Sequence, residues 1–184
     1  VKDQGQAATY VDDLDGASLR VVSVKTQPKT RHPSPPFTTS TLQQAASSVC
    51  GFSPHRTMVI AQKLYEAGLI TYMRTDSVNI AAVAREAARK QIEQDFGAAF
   101  VPAKPNVYRS KAGAQEAHEA IRPTHFDDTA PKLTGDEAKL YDLIWKRTIA
   151  CQMTNAEFDS VALDIENDAH TAVFHAVGTT RTFD

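Results

Sequence analysis

At 184 residues, with 42 % apolar and 23 % charged side chains, the chain has the composition of a globular protein and is long enough to bury one large core or two small ones. No apolar run approaches the roughly 18 residues of a membrane span, the N-terminus lacks a signal-peptide apolar region, and Cys50 and Cys151 stand outside any Cys-x-x-Cys or Cys/His cluster, which leaves no signature of structural zinc and makes a reduced compartment the expectation. The net charge of −2 hides an asymmetry: Gly16 to Thr75 carries seven Lys and Arg against Glu66 alone, whereas Asp127 onward carries eleven acids against five bases, so the first stretch is a candidate surface for nucleic acid.

Val1 to about His32 reads as strand and turn, with Asp12-Asp13 and Asp15-Gly16 as turn signals and Ala17–Lys25 as a β-rich run. Pro33-Ser-Pro-Pro-Phe-Thr38 neither continues a central strand nor enters a helix interior, which makes it a boundary or hinge. A helix capped by Thr39 or Ser40 then runs to about Val49 and stops at Gly51. A second is capped by Ser53 with Pro54 in its first position, carries Met58, Ala61, Leu64 and Tyr65 on one face, and ends at Gly68. The two form a helix-turn-helix-like pair. Asp76 or Ser77 caps the next helix, about 79–96, with Ile80, Val83, Ala87 and Ile92 as its apolar stripe. Ala98–Gly113 reads as loop, and Asp127-Asp128 as a turn. Thr134 opens the last helix as a capping box with Glu137, and Tyr141, Ile144, Trp145, Thr148 and Ile149 point inward. From about Glu157 the chain returns to strand. Two β segments flanking a helical block predict an α+β fold in which a helical domain, 35–154, is inserted into a small β-rich domain, 1–34 and 155–184.

Two clusters carry chemistry. In Leu69-Ile-Thr-Tyr-Met-Arg-Thr-Asp-Ser77, an extended backbone would place Tyr72 and Arg74 on one face, a phenol beside a guanidinium suited to phosphate. In Gln115-Glu-Ala-His-Glu-Ala-Ile-Arg-Pro-Thr124, a helix would bring His118 and Arg122 together and place Gln115 near Glu119. A His and an Arg converging on a phosphate can stabilise its transition state or move a proton. Each pattern alone is short, and a strand tyrosine with a rim arginine or a surface His–Arg pair satisfies it equally well. Both cysteines read as small buried apolar residues.

Three blocks in order, Pro35-Pro-Phe-Thr-Thr-Ser-Thr-Leu-Gln-Gln44, Gly68-Leu-Ile-Thr-Tyr-Met-Arg-Thr-Asp-Ser77 and His118-Glu-Ala-Ile-Arg-Pro-Thr124, resemble the bacterial type IA DNA topoisomerases, and Arg56–Glu66 fits between them. Met73, where the topoisomerase III branch has Pro, resembles the topoisomerase I branch. The resemblance covers about 35–154 strongly and the β flanks weakly. It implies a catabolite-activator-like helical domain with a helix-turn-helix, set into an arch or barrel-like β domain. It implies Tyr72 as a nucleophile that leaves a 5′-phosphotyrosine link, Arg74 on the scissile phosphate and His118 hydrogen-bonded near it. Arg122, Thr75, Asp76, Ser77, Arg56 and Lys63 are the DNA-binding residues expected with them.

The family's Mg²⁺ is held by a TOPRIM domain, and no Asp-x-Asp-x-Glu pattern occurs in this sequence. The expectation is therefore a fragment with no metal of its own, whose partners are single-stranded or negatively supercoiled DNA and the TOPRIM and gate domains of a parent chain, in the cytoplasm at the nucleoid and away from membranes. Two other readings stand beside it. A transcription regulator would read duplex DNA with His55, Arg56 and Gln62 of the helix pair. A tyrosine recombinase also uses Tyr, His and Arg, but there the nucleophile follows the His and Arg, whereas Tyr72 precedes His118.

Overall fold

The prolines at 33, 35 and 36 have no backbone N–H to give a sheet, and the first strand stops just before them: β1 is Leu19–Arg31. The computed structural model describes residues 1–109, 118–127 and 132–183. Gln115 and Asp128, named above, lie outside them. The chain divides into two units, Val1–His32 with Asn155–Asp184, and Pro33–Thr154. Among the described residues there are five α-helices and one three-stranded antiparallel sheet, an α+β fold.

The first unit is built on the sheet, in which β1, β2 (Ala156–Asn167) and β3 (Val173–Phe183) lie in the order β1-β2-β3. Its register sets Val24 opposite Leu163 and Leu163 opposite Ala176, with a bulge between Val21 and Ser23. Pro28 is tolerated because β1 is an edge strand. The buried Asn167 holds the β2–β3 turn, its carbonyl oxygen accepting from the Thr171 and Ala172 amides at 3.0 Å each. The opening segment corrects the expectation of strand and turn, because Gln4–Leu14 is a helix, α1. Asp3 caps it, accepting from the Gln6 amide at 2.8 Å, and Gln6 reaches back to the Lys2 amide at 2.7 Å. This is a variant of the capping box, and it outweighs the turn signals that follow it. No residue of α1 is buried.

The second unit packs α2 (Thr39–Cys50), α3 (Pro54–Glu66), α4 (Ala82–Phe96) and α5 (Gly135–Cys151) around one apolar core. Leu42, Leu64, Ile92, Leu140 and Ile144 come from the helices, Phe37 from the segment leading into α2, and Ile70, Met73 and Ile121 from the segments between helices. Ser53 and Pro54 open α3, and Gly51, at φ 69°, ends α2, as their residue types predict. Thr38, not Thr39 or Ser40, caps α2 in a reciprocal box with Thr41. In α3 the buried face is Thr57, Ile60, Ala61 and Leu64. Met58 is only half-buried and Tyr65 is 40 % exposed.

α4 departs further. It starts at Ala82, Ile80 is buried ahead of it, Ala87 is exposed and Val83 is 84 % exposed; the inward stripe is Ala84, Ala88 and Ile92. Neither Asp76 nor Ser77 caps it. The Ser77 hydroxyl accepts from the Asn79 amide within the preceding loop. Thr134 makes no side-chain cap on α5, and Glu137, the other half of the expected box, lies 3.4 Å from Lys63. The inward residues of α5 are those expected, and the Trp145 indole donates to the Phe126 carbonyl at 3.3 Å. At the base of this unit the Tyr108 hydroxyl lies 3.0 Å from the Pro33 carbonyl and 2.9 Å from that of Cys151, tying together the two strands of chain that enter and leave it. Burial pushes the Cys151 thiol up to about 12, which makes it an inert core residue.

Candidate functional site

The chain leaves α3 through Gly68, whose φ of 73° turns the backbone where a Cβ would strain it. Leu69–Arg74, whose extended form would put Tyr72 and Arg74 on one face, is instead a bent segment whose sheet-like contact among the described residues is a bridge from Ile70 to Pro123. Burial nonetheless alternates along it and on to Ser77. Met73, Thr75 and Ser77 are buried, while Tyr72, Arg74 and Asp76 are exposed. The period-two placement of Tyr72 and Arg74 therefore survives without a strand, because the buried residues between them are fixed one by one.

Those fixings bring the three sequence blocks together. Thr71 donates its amide to the Arg122 carbonyl at 2.9 Å and its hydroxyl to the Ala120 carbonyl at 2.7 Å, and accepts from the Arg122 amide at 3.0 Å. Thr124 donates to the Leu69 and Gly68 carbonyls at 3.0 and 2.6 Å. From the other side, the Thr39 hydroxyl donates to the Met73 carbonyl at 2.7 Å, and its amide donates to the Thr75 carbonyl at 2.9 Å. The Ile121 amide donates to the Phe37 carbonyl at 2.8 Å. Segments 37–39, 69–75 and 120–124, far apart in sequence, thus form one hydrogen-bonded knot, with Tyr72 emerging between the anchored Thr71 and the buried Met73.

The segment 118–122 does not form the helix that would bring His118 and Arg122 onto one face. The amides of Ala120, Ile121, Arg122 and Thr124 go to Asn79, Phe37, Thr71 and Leu69, away from a helical ladder. His118 is exposed, and among the described residues it has no hydrogen-bond partner. Arg122 is largely covered and spoken for: Nη2 meets Glu119 Oε2 at 2.7 Å, Nε meets Oε1 at 3.4 Å, and Nη1 donates to the Pro123 carbonyl at 2.9 Å. Glu119 also accepts from the Ala81 amide at 2.7 Å, which places a carboxylate at the start of α4 where a side-chain cap is missing. A groove of about 540 Å³ opens beside this pair, lined among others by Lys90, Gln91, Gln94, Arg122 and His125.

The Tyr72 side chain is 47 % exposed, and among the described residues its hydroxyl has no hydrogen-bond partner. Its ring meets that of Tyr65 edge-on, with centroids 5.3 Å apart and planes at 66°. Arg74 is exposed, with no ion pair among the described residues. Thr75 is buried and its hydroxyl accepts from the Ser77 amide at 3.0 Å, so Thr75 and Ser77 shape the loop, while Asp76 faces solvent. Arg56 and Lys63 lie on α3, and both are paired with the first turn of α5. Arg56 Nε donates to Asp136 at 2.9 Å, and Lys63 lies 3.4 Å from Glu137. Sequence reasoning missed Thr39 and Thr71 as clasps, Glu119 as the link to α4, and Tyr65 as a neighbour of Tyr72. The two threonines lie inside the motifs, so their signal was present. The Tyr65 contact runs across a glycine turn that periodicity does not see. Among the described residues no group of three His, Cys, Asp or Glu side chains comes together as a metal ion requires.

A family model described as DNA topoisomerase matches residues 1–184. DNA topoisomerase 1 of Vibrio cholerae is 50 % identical over 169 residues, covering 90 % of this chain and 19 % of that protein. The protein of the same name from Zymomonas mobilis is 47 % identical over 180 residues, covering 97 % and 15 %. Among solved structures, full-length topoisomerase I from Thermotoga maritima matches with a TM-score of 0.81 and 34 % identity, covering 100 % of this chain and 32 % of that one. The chain spans about a fifth of the length of the curated relatives it matches.

Proposed function

The chain belongs to the DNA topoisomerase family, and from that premise we propose that it is the tyrosine-bearing part of a type IA enzyme whose Tyr72 cleaves one DNA strand and lets it be rejoined. The observation that carries this reading is the knot of three segments that holds the backbone around Tyr72 while leaving its hydroxyl exposed and unbonded among the described residues. In the proposed step the Tyr72 oxygen bonds to a phosphorus as the bond from that phosphorus to the 3′ oxygen breaks. The phenol proton is released and the 3′ oxygen leaves as a hydroxyl. One phosphodiester is exchanged for another, so religation is the reverse step and uses no ATP. Arg74, on the same exposed side, holds the phosphate oxygens, and His118 hydrogen-bonds beside them or hands a proton to the leaving oxygen.

The Mg²⁺ of such enzymes would sit in the TOPRIM domain of a parent chain, and no step here runs through it. Residues 35–154 would be the helical, catabolite-activator-like domain, and 1–34 with 155–184 part of the arch. The substrate would be single-stranded or negatively supercoiled DNA of the nucleoid, met in the cytoplasm, with Arg122, Thr75, Asp76 and Ser77 shaping the pocket. Arg56 and Lys63 fit a direct DNA role less well, since each already has an acidic partner. The same pairing weighs against a helix-turn-helix regulator, whose recognition helix needs those side chains free, and Gln62 is itself bonded to Glu66 at 2.6 Å.

The test mixes this chain with a separately made TOPRIM domain and a single-stranded oligonucleotide in Mg²⁺. A covalent protein–DNA adduct that disappears in Tyr72→Phe is the expected result, together with none from the chain alone. An adduct that persists in Tyr72→Phe assigns the nucleophile elsewhere.

A further inference from the structure

Tyr72 is fixed at its backbone and loose at its side chain. Thr71 is held by three hydrogen bonds and Met73 is 1 % exposed, so the Cα of Tyr72 has little freedom. Beyond Cα the ring is about half exposed, and its hydroxyl meets no partner among the described residues. A phenol so placed can swing about χ1 and χ2, yet in-line attack on phosphorus needs its oxygen within a narrow cone. What limits the swing is the Tyr65 ring, edge-on at 5.3 Å. Tyr65 can act as a stop because its own position is rigid. It sits in the last turn of α3, where Leu64 and Ala61 are buried in the core, and its carbonyl accepts from the Gly68 amide at 2.9 Å, at the turn that leads to Tyr72. Tyr65 also spends exposed aromatic surface that packing of α3 does not require, since it is 40 % exposed and lies off the buried face.

We propose that Tyr65 is a positioning residue for Tyr72, its ring holding the nucleophile's ring in the orientation for attack without itself touching the reacting phosphate. The proposal rests on the reading of Tyr72 as nucleophile. It assigns the effect to the ring and not to the Tyr65 hydroxyl, which has no hydrogen-bond partner among the described residues.

Two measurements test it. In the full-length protein that contains this segment, single-turnover adduct formation at saturating oligonucleotide should slow by about fivefold in Tyr65→Ala, the loss expected from an edge-on aromatic pair. Oligonucleotide affinity should be unchanged, and Tyr65→Phe should restore the rate. Slowing in both variants would assign the effect to the hydroxyl, weaker binding at an unchanged rate would make Tyr65 a DNA contact, and no effect in either would remove the role; each overturns the proposal. Independently of catalysis, the chain labelled with 3-fluorotyrosine should give a ¹⁹F resonance, assigned through Tyr72→Phe, that moves toward the free-tyrosine position and narrows in Tyr65→Ala but stays in place in Tyr65→Phe. A Tyr72 resonance indifferent to Tyr65→Ala would overturn the positioning contact even if Tyr72 proved to be the nucleophile. An adduct that persists in Tyr72→Phe refutes the nucleophile assignment alone, and the fluorine spectra still decide whether the two rings touch.

Discussion

Glu119 shows how one side chain can serve two elements. Its carboxylate pairs with the largely covered guanidinium of Arg122 and receives the Ala81 amide at the start of α4. Both partners gain by facing a charge, one as a cation and the other as the positive end of a helix. Replacing it with Gln keeps the shape and removes the charge, leaving Arg122 partly desolvated against a neutral amide. Because the pair is partly exposed, the cost falls between that of a surface and of a buried ion pair, about 1–2 kcal/mol. Trp145, the single tryptophan, is buried in this unit against the Phe126 carbonyl and reports its unfolding alone. Urea titration of Glu119→Gln followed by tryptophan fluorescence should show a lower midpoint with an unchanged slope, and an unchanged midpoint would mean that Arg122 does not depend on Glu119. His118, one residue away, makes no such bond among the described residues and is exposed.

Among elements, those that could be read from sequence carry their own punctuation. Ser53-Pro54, Gly51 and the inward stripe of α5 rest on caps and periodicity that need no partner. Those misread are settled by contacts distant in sequence. Segment 118–122 has the spacing of a helix, but the amides of Ala120, Ile121, Arg122 and Thr124 are claimed by Asn79, Phe37, Thr71 and Leu69. The start of α4 slips to Ala82 because Ser77 and Ile80 are drawn into the core first. α1 was missed for a local reason, since Asp3 and Gln6 are a capping pair that the strand-and-turn reading of Val1 to His32 passed over.

The Tyr108 tie at the base of the helical unit makes the same point with a measurable consequence. Burial raises its phenol pKa well above the ordinary tyrosine value. A raised value means that the contribution is fully present below about pH 10, where the unfolded chain would begin to ionise, and is lost as pH rises beyond it. Tyr108→Phe removes the hydroxyl's bonds to the Pro33 and Cys151 carbonyls and should cost about 1 kcal/mol at neutral pH. It should also make the tryptophan-monitored stability fall less steeply above pH 10, the residual slope belonging to the thiols of Cys151 and Cys50, both raised by burial. A Tyr108→Phe protein with the parent's full alkaline loss would show that the phenol is solvated.

For the whole molecule, the linear charge asymmetry overstates what DNA can use. The seven cations between Gly16 and Thr75 fall in both units. Arg20 stands opposite Glu166 in the sheet register, Lys25 bears on Asp164, and Arg56 and Lys63 are paired with Asp136 and Glu137. Lys29 and Arg31, opposite Phe158 and Ala156 in the register, and Arg74 remain exposed with neither an ion pair nor a facing acid among the described residues. Each phosphate neutralised on a single strand contributes about 0.7 to the slope of log affinity against log salt. Seven engaged cations would give a slope near −5, and three give about −2. Fluorescence anisotropy with a single-stranded oligonucleotide across a salt series should therefore yield weak binding by this chain with a slope of about −2, reduced by about 0.7 in Arg74→Gln. A slope near −5 would mean that Arg56 and Lys63 leave their acids to meet the strand, restoring them as DNA-binding residues. A slope indifferent to Arg74→Gln would leave Tyr72 without the phosphate clamp assigned to it.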